Sequence, residues 1–300
     1  MSARIIDCKL IADVIKLHVQ KAVKELNNNG VTPHLAAVQV GQCDSSRIYI
    51  SRQRKLCEKL GISYSFKDYT ENISENDLLE EIEGLNNDKE INGIILQMPI
   101  PEHIRASRIQ AKILPEKDVE GITPANLGRL VLNDYDIMPC TPAAVMQVIE
   151  HEKIVLKGKN VVIVGHSEIV GKPLSLLMLS KFATTTVCHI ETNNLRNFTT
   201  NADILISATG KTGLIDGSMI KPGAVVIDVG ISRMLVTDCN GNKILTKEGQ
   251  EKTRITGDID FESVFNIASA ITPVPGGIGA ITSMVLMLNI AKSTMLQLKI

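Results

Sequence analysis

Tryptophan is absent from this chain, and only four tyrosines and five phenylalanines occur in 300 residues. So few aromatics leave no stacking platform for nucleobases. A formal net charge of −1 supplies no basic surface for nucleic acid or an anionic membrane, so neither is expected as a partner. No C-x-x-C pair occurs among the six cysteines, at positions 8, 43, 57, 140, 188 and 239. In a chain of this length that scatter predicts reduced thiols and a cytoplasmic setting. No H-x-x-x-H pair occurs among the six histidines, so no metal site is expected. The first seven residues lack the apolar core of a signal peptide. The apolar stretch Met284 to Leu288 is too short to span a bilayer.

What is present fits a globular protein of roughly two domains: 44% apolar and 22% charged residues. The organising stretch is Val161-Val162-Ile163-Val164-Gly165-His166-Ser167-Glu168-Ile169-Val170-Gly171-Lys172-Pro173. Four apolar, mostly β-branched residues predict a buried strand, and Leu174 to Leu179 predicts a helix with Pro173 in its first turn. A strand, a glycine turn and a helix N-terminus suit a dinucleotide pyrophosphate, because N–H groups and the helix dipole face the anion. The spacing is G-x-S-x-x-x-G rather than G-x-G-x-x-G, so an ordinary strand–helix turn is the alternative at this point.

Before that stretch the pattern alternates. Leu10 to Leu26 reads as a helix, 35–40 as a strand, Ser46 to Leu60 as a helix and Ile62 to Phe66 as a strand. Ser74 to Asn86 reads as a helix with a Ser74-to-Asp77 cap, and Ile91 to Met98 as a strand. The rhythm predicts a parallel sheet covered by helices. Lys112 to Leu130 reads as a loop, carrying Pro115, Gly121, Pro124 and Gly128, and Cys140-Thr141-Pro142 opens a helix to about His151. Strands at 185–189, 204–208 and 225–229 make the second part a Rossmann-type half, with Met234 to Lys247 as a surface hairpin or flap. The predicted class is α/β: one domain over 1–148, completed by a last helix at 281–300, and a Rossmann domain with a parallel sheet over 149–280.

Chemistry-bearing residues gather at strand ends and loops: Tyr49, Gln97-Met98-Pro99-Ile100-Pro101, Lys117-Asp118-Val119-Glu120-Gly121 and the loop Ile271 to Gly279. Singly, each has a structural explanation, such as a turn role for Asp118. As an ordered set, with Ser46-x-x-Tyr49, Cys140-Thr141-Pro142, Asp228-Val229-Gly230-Ile231, Gly257-Asp258-Ile259-Asp260-Phe261 and Thr272-Pro273-Val274-Pro275-Gly276-Gly277, they resemble the methylenetetrahydrofolate dehydrogenase/methenyltetrahydrofolate cyclohydrolase family, often called FolD.

The resemblance implies an N-terminal folate-binding domain, a Rossmann NAD(P)-binding domain, a cleft between them, and a homodimer joined through the Rossmann domain. It implies hydride transfer from 5,10-methylenetetrahydrofolate to NAD or NADP, then hydration of the methenyl cation. In the family pattern Asp118 matches the carboxylate that holds the pterin, Tyr49 the ring packed on the folate, and Gln97 the side chain that orients a catalytic lysine. Pro275 and Gly276 match the substrate loop, and Gly165, Ser167 and Ile231 match cofactor contacts. Two departures stand out. Gln53 occupies the lysine position of Tyr-x-x-x-Lys, which predicts loss of cyclohydrolase activity with dehydrogenase activity kept. His166 stands where many members carry arginine, and with Ile190 and Glu191 it points to NAD, although NADP is the commoner family choice. Glu120 for Asp reads as a tolerated variation. The alternatives are a bifunctional enzyme with another group in the lysine's place, a silent folate-binding relative, and an unrelated dehydrogenase.

Overall fold

The computed structural model describes residues 2–41, 44–235, 243 and 251–299, with the backbone alone of 44–48. The chain divides into two compact units, one of residues 12–143 and 282–300, the other of residues 1–11 and 144–281. In chain order the first elements are β1 (Arg4–Ile5), α1 (Cys8–Asn28), β2 (His34–Val40), α2 (Asp44–Leu60), β3 (Ser63–Tyr69), α3 (Glu75–Asn87) and β4 (Gly93–Leu96). Then come α4 (Ala106–Lys112), α5 (Pro124–Val131) and α6 (Cys140–His151).

In the unit of residues 12–143 and 282–300, β2 is central in a three-stranded parallel sheet, ordered β3-β2-β4. Ala36, Val38 and Val40 of β2 pack with Leu78, Ile82 and Leu85 of α3. Ser74 caps α3 as its sequence predicts, accepting from the Asp77 N–H at 3.1 Å. The stretch 112–130 is not all loop. Thr123 accepts from the Asn126 N–H and Pro124 sits in the first turn, so Pro124 starts helix α5 and Gly128 lies within it.

The second series is β5 (Asn160–Val164), α7 (Gly171–Ser180), β6 (Thr184–Cys188), α8 (Leu195–Thr199), β7 (Ile204–Ser207), β8 (Val225–Asp228), β9 (Ser232–Leu235) and β10 (Thr253–Thr256). It ends with α9 (Phe261–Phe265), β11 (Ala270–Ile271) and α10 (Ile278–Leu298). The sheet of this unit is six-stranded and parallel, ordered β1-β11-β8-β7-β5-β6. From β5 the chain goes to β6 on one side and returns to β7 on the other, which is the switch point where such sheets bind ligands. The N-terminal residues differ from the expected 1–148 division: β1 pairs with β11, so residues 1–11 join the six-stranded unit. β9 and β10 form an antiparallel pair. The rest of the expected flap, 236–242 and 244–247, lies outside the described residues.

α10 is longer than the apolar stretch Met284 to Leu288. Its 21 residues are long and apolar enough to cross a membrane by length and composition, but 56% of the apolar window is buried within the protein. Its polar side chains are satisfied inside the three-stranded unit. Asn289 donates to the Val119 and Met138 carbonyls at 2.9 and 3.0 Å, and Ser293 donates to Asn92 O at 2.6 Å. A core helix meets these conditions, and nothing in them indicates a membrane.

Candidate active site

Tyr49 and Gln53 lie one helical turn apart on α2, so their side chains share a face. Gln53 is buried and Tyr49 is 46% exposed. Gln97 follows β4, its backbone N–H bound to Val38 O, and its Nε2 donates to Gln53 Oε1 at 3.3 Å. Tyr64 of β3 donates to the same oxygen at 3.1 Å. The expected trio Tyr49, Gln53 and Gln97 is therefore brought together, and Tyr64 is an addition. No sequence pattern flagged Tyr64; its place on a strand beside the one carrying Gln97's backbone partner was the available signal.

Asp118 needs correcting. It is 1% exposed, and its Oδ2 accepts from the Thr123 N–H at 2.8 Å and from Asn126 Nδ2 at 2.9 Å. Those bonds brace the loop into α5, so the carboxylate is committed inward. The carboxyl two residues on, Glu120, lies within electrostatic reach of both the Tyr49 phenol and the Cys140 thiol and raises the pKa of each. The phenol is pushed up to about 12, by burial first and then by Glu120 and Cys140. Glu120 itself is pushed up to about 8, by burial first and then by Asp118. Lys117 faces elsewhere: its Nζ donates to the carbonyls of Leu85, Asn86 and Asp88 at 3.1, 2.8 and 2.6 Å, closing the end of α3.

In the six-stranded unit, Gly165, His166 and Ser167 form the turn from β5 into α7. Gly165 has φ +119, and a Cβ there would lie 2.4 Å from Ala208 O; a Cβ on Gly171 would lie 2.0 Å from Gly165 O. Only glycine permits so tight a turn. Ser167 Oγ accepts from the Val170 N–H at 3.1 Å, and no side chain caps α7 at Val170. The tight glycine turn at the start of the helix is a backbone cradle that suits a pyrophosphate. His166 and His189 rings lie 5.1 Å apart, which brings the end of β6 beside the turn. Ile190, next along, is 94% exposed. Glu191 is exposed, its N–H bonded to His189 Nδ1 at 3.3 Å. Lys172 pairs with Glu168 at 3.3 Å. Ile231 is 61% exposed, its side chain near Gly279. Pro275 and Gly276 are exposed in the loop before α10, with Gly276 at φ +93. Among the described residues no cluster of His, Cys, Asp or Glu could hold a metal.

Residues 6–120 match the family description "Tetrahydrofolate dehydrogenase/cyclohydrolase, catalytic domain", and residues 139–298 match its NAD(P)-binding domain. The chain belongs to the tetrahydrofolate dehydrogenase/cyclohydrolase family. It is 46% identical over 293 residues to the bifunctional protein FolD of Aquifex aeolicus, covering 97% of this chain and 95% of that one. It is 40% identical over 299 residues to the FolD protein of Acetivibrio thermocellus, covering 100% and 99%. The crystal structure of the Campylobacter jejuni FolD enzyme superposes with a TM-score of 0.90 at 37% identity, covering 99% of this chain and 100% of that one. The Trypanosoma brucei FolD structure, complexed with NADP and an inhibitor, gives 0.90 at 30% identity with full coverage of both chains. As a member of this tetrahydrofolate family, the chain is a nicotinamide-dependent oxidoreductase of folate one-carbon metabolism.

Proposed function

We propose that this chain oxidises 5,10-methylenetetrahydrofolate to the methenyl cation and hydrates that cation poorly or not at all. The carrying observation is the buried amide of Gln53, fixed one turn from Tyr49 where the family pattern has lysine. A bound dinucleotide supplies the hydride acceptor. The chain's own part is to bind and orient the folate, and no protein base is required for that step. Glu120, in place of the expected Asp118, is the carboxyl suited to the pterin, whose N–H donors would favour its ionised, acceptor form. Tyr49 offers a ring and a hydroxyl that keeps its proton.

Hydration differs, because protons must be moved as water attacks. An amide only hydrogen-bonds, and loss of a general acid–base group typically costs about 10²–10⁴ in rate. The glutamine has a second consequence. Hydride loss leaves the carbon cationic, and an ammonium about 4 Å away would oppose it by about 4 kcal/mol at an effective dielectric of about 20. Gln53 removes that opposition and favours the oxidised product.

A second reading is favoured by Glu120. A carboxyl pushed up to about 8 within electrostatic reach of Tyr49 has a pKa suited to proton transfer near neutrality, so a bifunctional enzyme could use it in the lysine's place. Parallel assays of methylenetetrahydrofolate oxidation and methenyltetrahydrofolate decay test both. Oxidation with decay at the buffer rate supports the first reading. Decay that is fast and abolished in Glu120→Gln supports the second.

We further propose NAD as the preferred cofactor. Ile190 and Glu191 follow β6, and Lys172 is engaged by Glu168, so the 2′-phosphate of NADP finds no free cation on these residues. A cytoplasmic homodimer joined through the six-stranded unit completes the reading. β6 is an edge strand of that sheet, and the buried Thr185 Oγ1 on it has no partner.

A further inference from the structure

Gln53 is 4% exposed, yet its Nε2 has no hydrogen-bond partner. A buried amide N–H₂ without an acceptor is destabilising unless a ligand supplies one. The carbonyl end of the same side chain is fully used. Its oxygen has two lone pairs, and it receives the Tyr64 hydroxyl at 3.1 Å and Gln97 Nε2 at 3.3 Å. Both donors pull on one end of the amide, so the plane is fixed and the N–H₂ end remains as the free function. Tyr64 is itself held. The Arg54 guanidinium sits 5.6 Å from its ring centroid, on the same helix as Gln53. Burial raises its hydroxyl well above the ordinary range, so it serves as a proton donor to Gln53 at any working pH.

We propose that Tyr64 is a positioning residue for the oxidation: with Gln97 it clamps the Gln53 carbonyl and so presents the Gln53 N–H₂ to an acceptor atom of the bound folate. The proposal rests on the folate reading of this site and adds a residue to it. It also explains how a glutamine functions here. Without the clamp, the amide would be free to turn and offer its oxygen, which no acceptor on the substrate could use. A tyrosine that merely filled space at this position would act on stability alone, with no link to Gln53.

The test is a double-mutant cycle on the full-length protein, with methylenetetrahydrofolate and saturating NAD. Tyr64→Phe keeps the ring and removes the hydroxyl. It should raise KM for the folate about three- to tenfold, the scale of one hydrogen bond, and leave kcat within about twofold. In the Gln53→Met background the same change should alter KM by less than about twofold, because the group it positions is gone. Gln53→Glu gives a check that does not depend on Tyr64. Its carboxylate still accepts from Tyr64 and Gln97 but carries an oxygen where the N–H₂ stood, so KM should rise with the clamp intact. No rise in KM for Tyr64→Phe in the otherwise native chain, an equal rise in the Gln53→Met background, or an unchanged KM for Gln53→Glu overturns the proposal. If the native chain oxidises no methylenetetrahydrofolate with either NAD or NADP, the activity reading is wrong instead. Calorimetric titration of the same variants with tetrahydrofolate then decides the role of Tyr64 by the same criterion.

Discussion

At position 120 a buried carboxyl is costly to ionise. Burial, then Asp118, pushes it up to about 8 from an ordinary value of 4.5. An acid raised on folding binds more protons folded than unfolded. Its contribution to stability is therefore full below about 4.5 and is lost as pH rises towards about 8. Asp228 in the other unit, pushed up to about 6 mainly by burial, acts with the same sign in the lower part of that window. The comparison is thus cleanest between about pH 6 and pH 8. There the melting temperature of the native chain should fall with rising pH, and that of Glu120→Gln should fall distinctly less. Equal slopes would show that Glu120 is not the buried acid described above. For the folate, Glu120→Gln replaces one acceptor oxygen by a donor and should raise KM at least tenfold, about 1.4 kcal/mol, whereas Asp118→Asn should act chiefly on melting temperature. The two carboxylates show where sequence stops. The run Lys117-Asp118-Val119-Glu120 offers both, and only the fold reveals that Thr123 and Asn126 occupy the first. The resemblance picked out Tyr49 and Gln53, and helical spacing then put them on one face.

At the scale of elements, the lysine of that same run works as a helix terminator. Lys117 is 5% exposed, and its three donors meet three carbonyls at the end of α3. Lys117→Met removes those donors while keeping much of the stem. It should destabilise the protein by about 2 kcal/mol, read as a lowered melting temperature, with little change in cofactor affinity. Gly165→Ala should lower both the melting temperature and cofactor affinity. A methyl group would collide with Ala208 O, so dinucleotide affinity should fall by tenfold or more in a titration of cofactor fluorescence. Buried strands such as Val161 to Val164 were readable because a run of branched apolar residues has few other uses. Helix α5 was not. Pro124 and Gly128 signal loops by composition, but a proline after a capping threonine begins a helix. β1 was not legible either. Two residues gain strand form only through pairing with β11, far along the chain.

For the whole molecule, two parallel sheets support two separate tasks, and the cofactor task can be retuned alone. Ile190→Arg, placed just past β6, should shift the kcat/KM ratio towards NADP by tenfold or more, about 1.4 kcal/mol, with folate KM unchanged. A native chain already preferring NADP by that margin would reverse the cofactor proposal. The α/β rhythm made both sheets legible in outline, since alternating strands and helices admit few topologies. The N-terminal end was beyond it: residues 1–11 serve the six-stranded unit, whereas residues 282–300 serve the three-stranded one, close to the last helix at 281–300 that the pattern assigns to the first domain. The central claim concerns the carbon between oxidation and hydration, and one measurement reaches it directly. Purified native protein is mixed with methenyltetrahydrofolate, and the decay of its ultraviolet absorbance is compared with the buffer-catalysed decay, alongside Gln53→Lys. The account predicts native decay barely above buffer and a clear gain for Gln53→Lys. Fast decay with the native protein would contradict it.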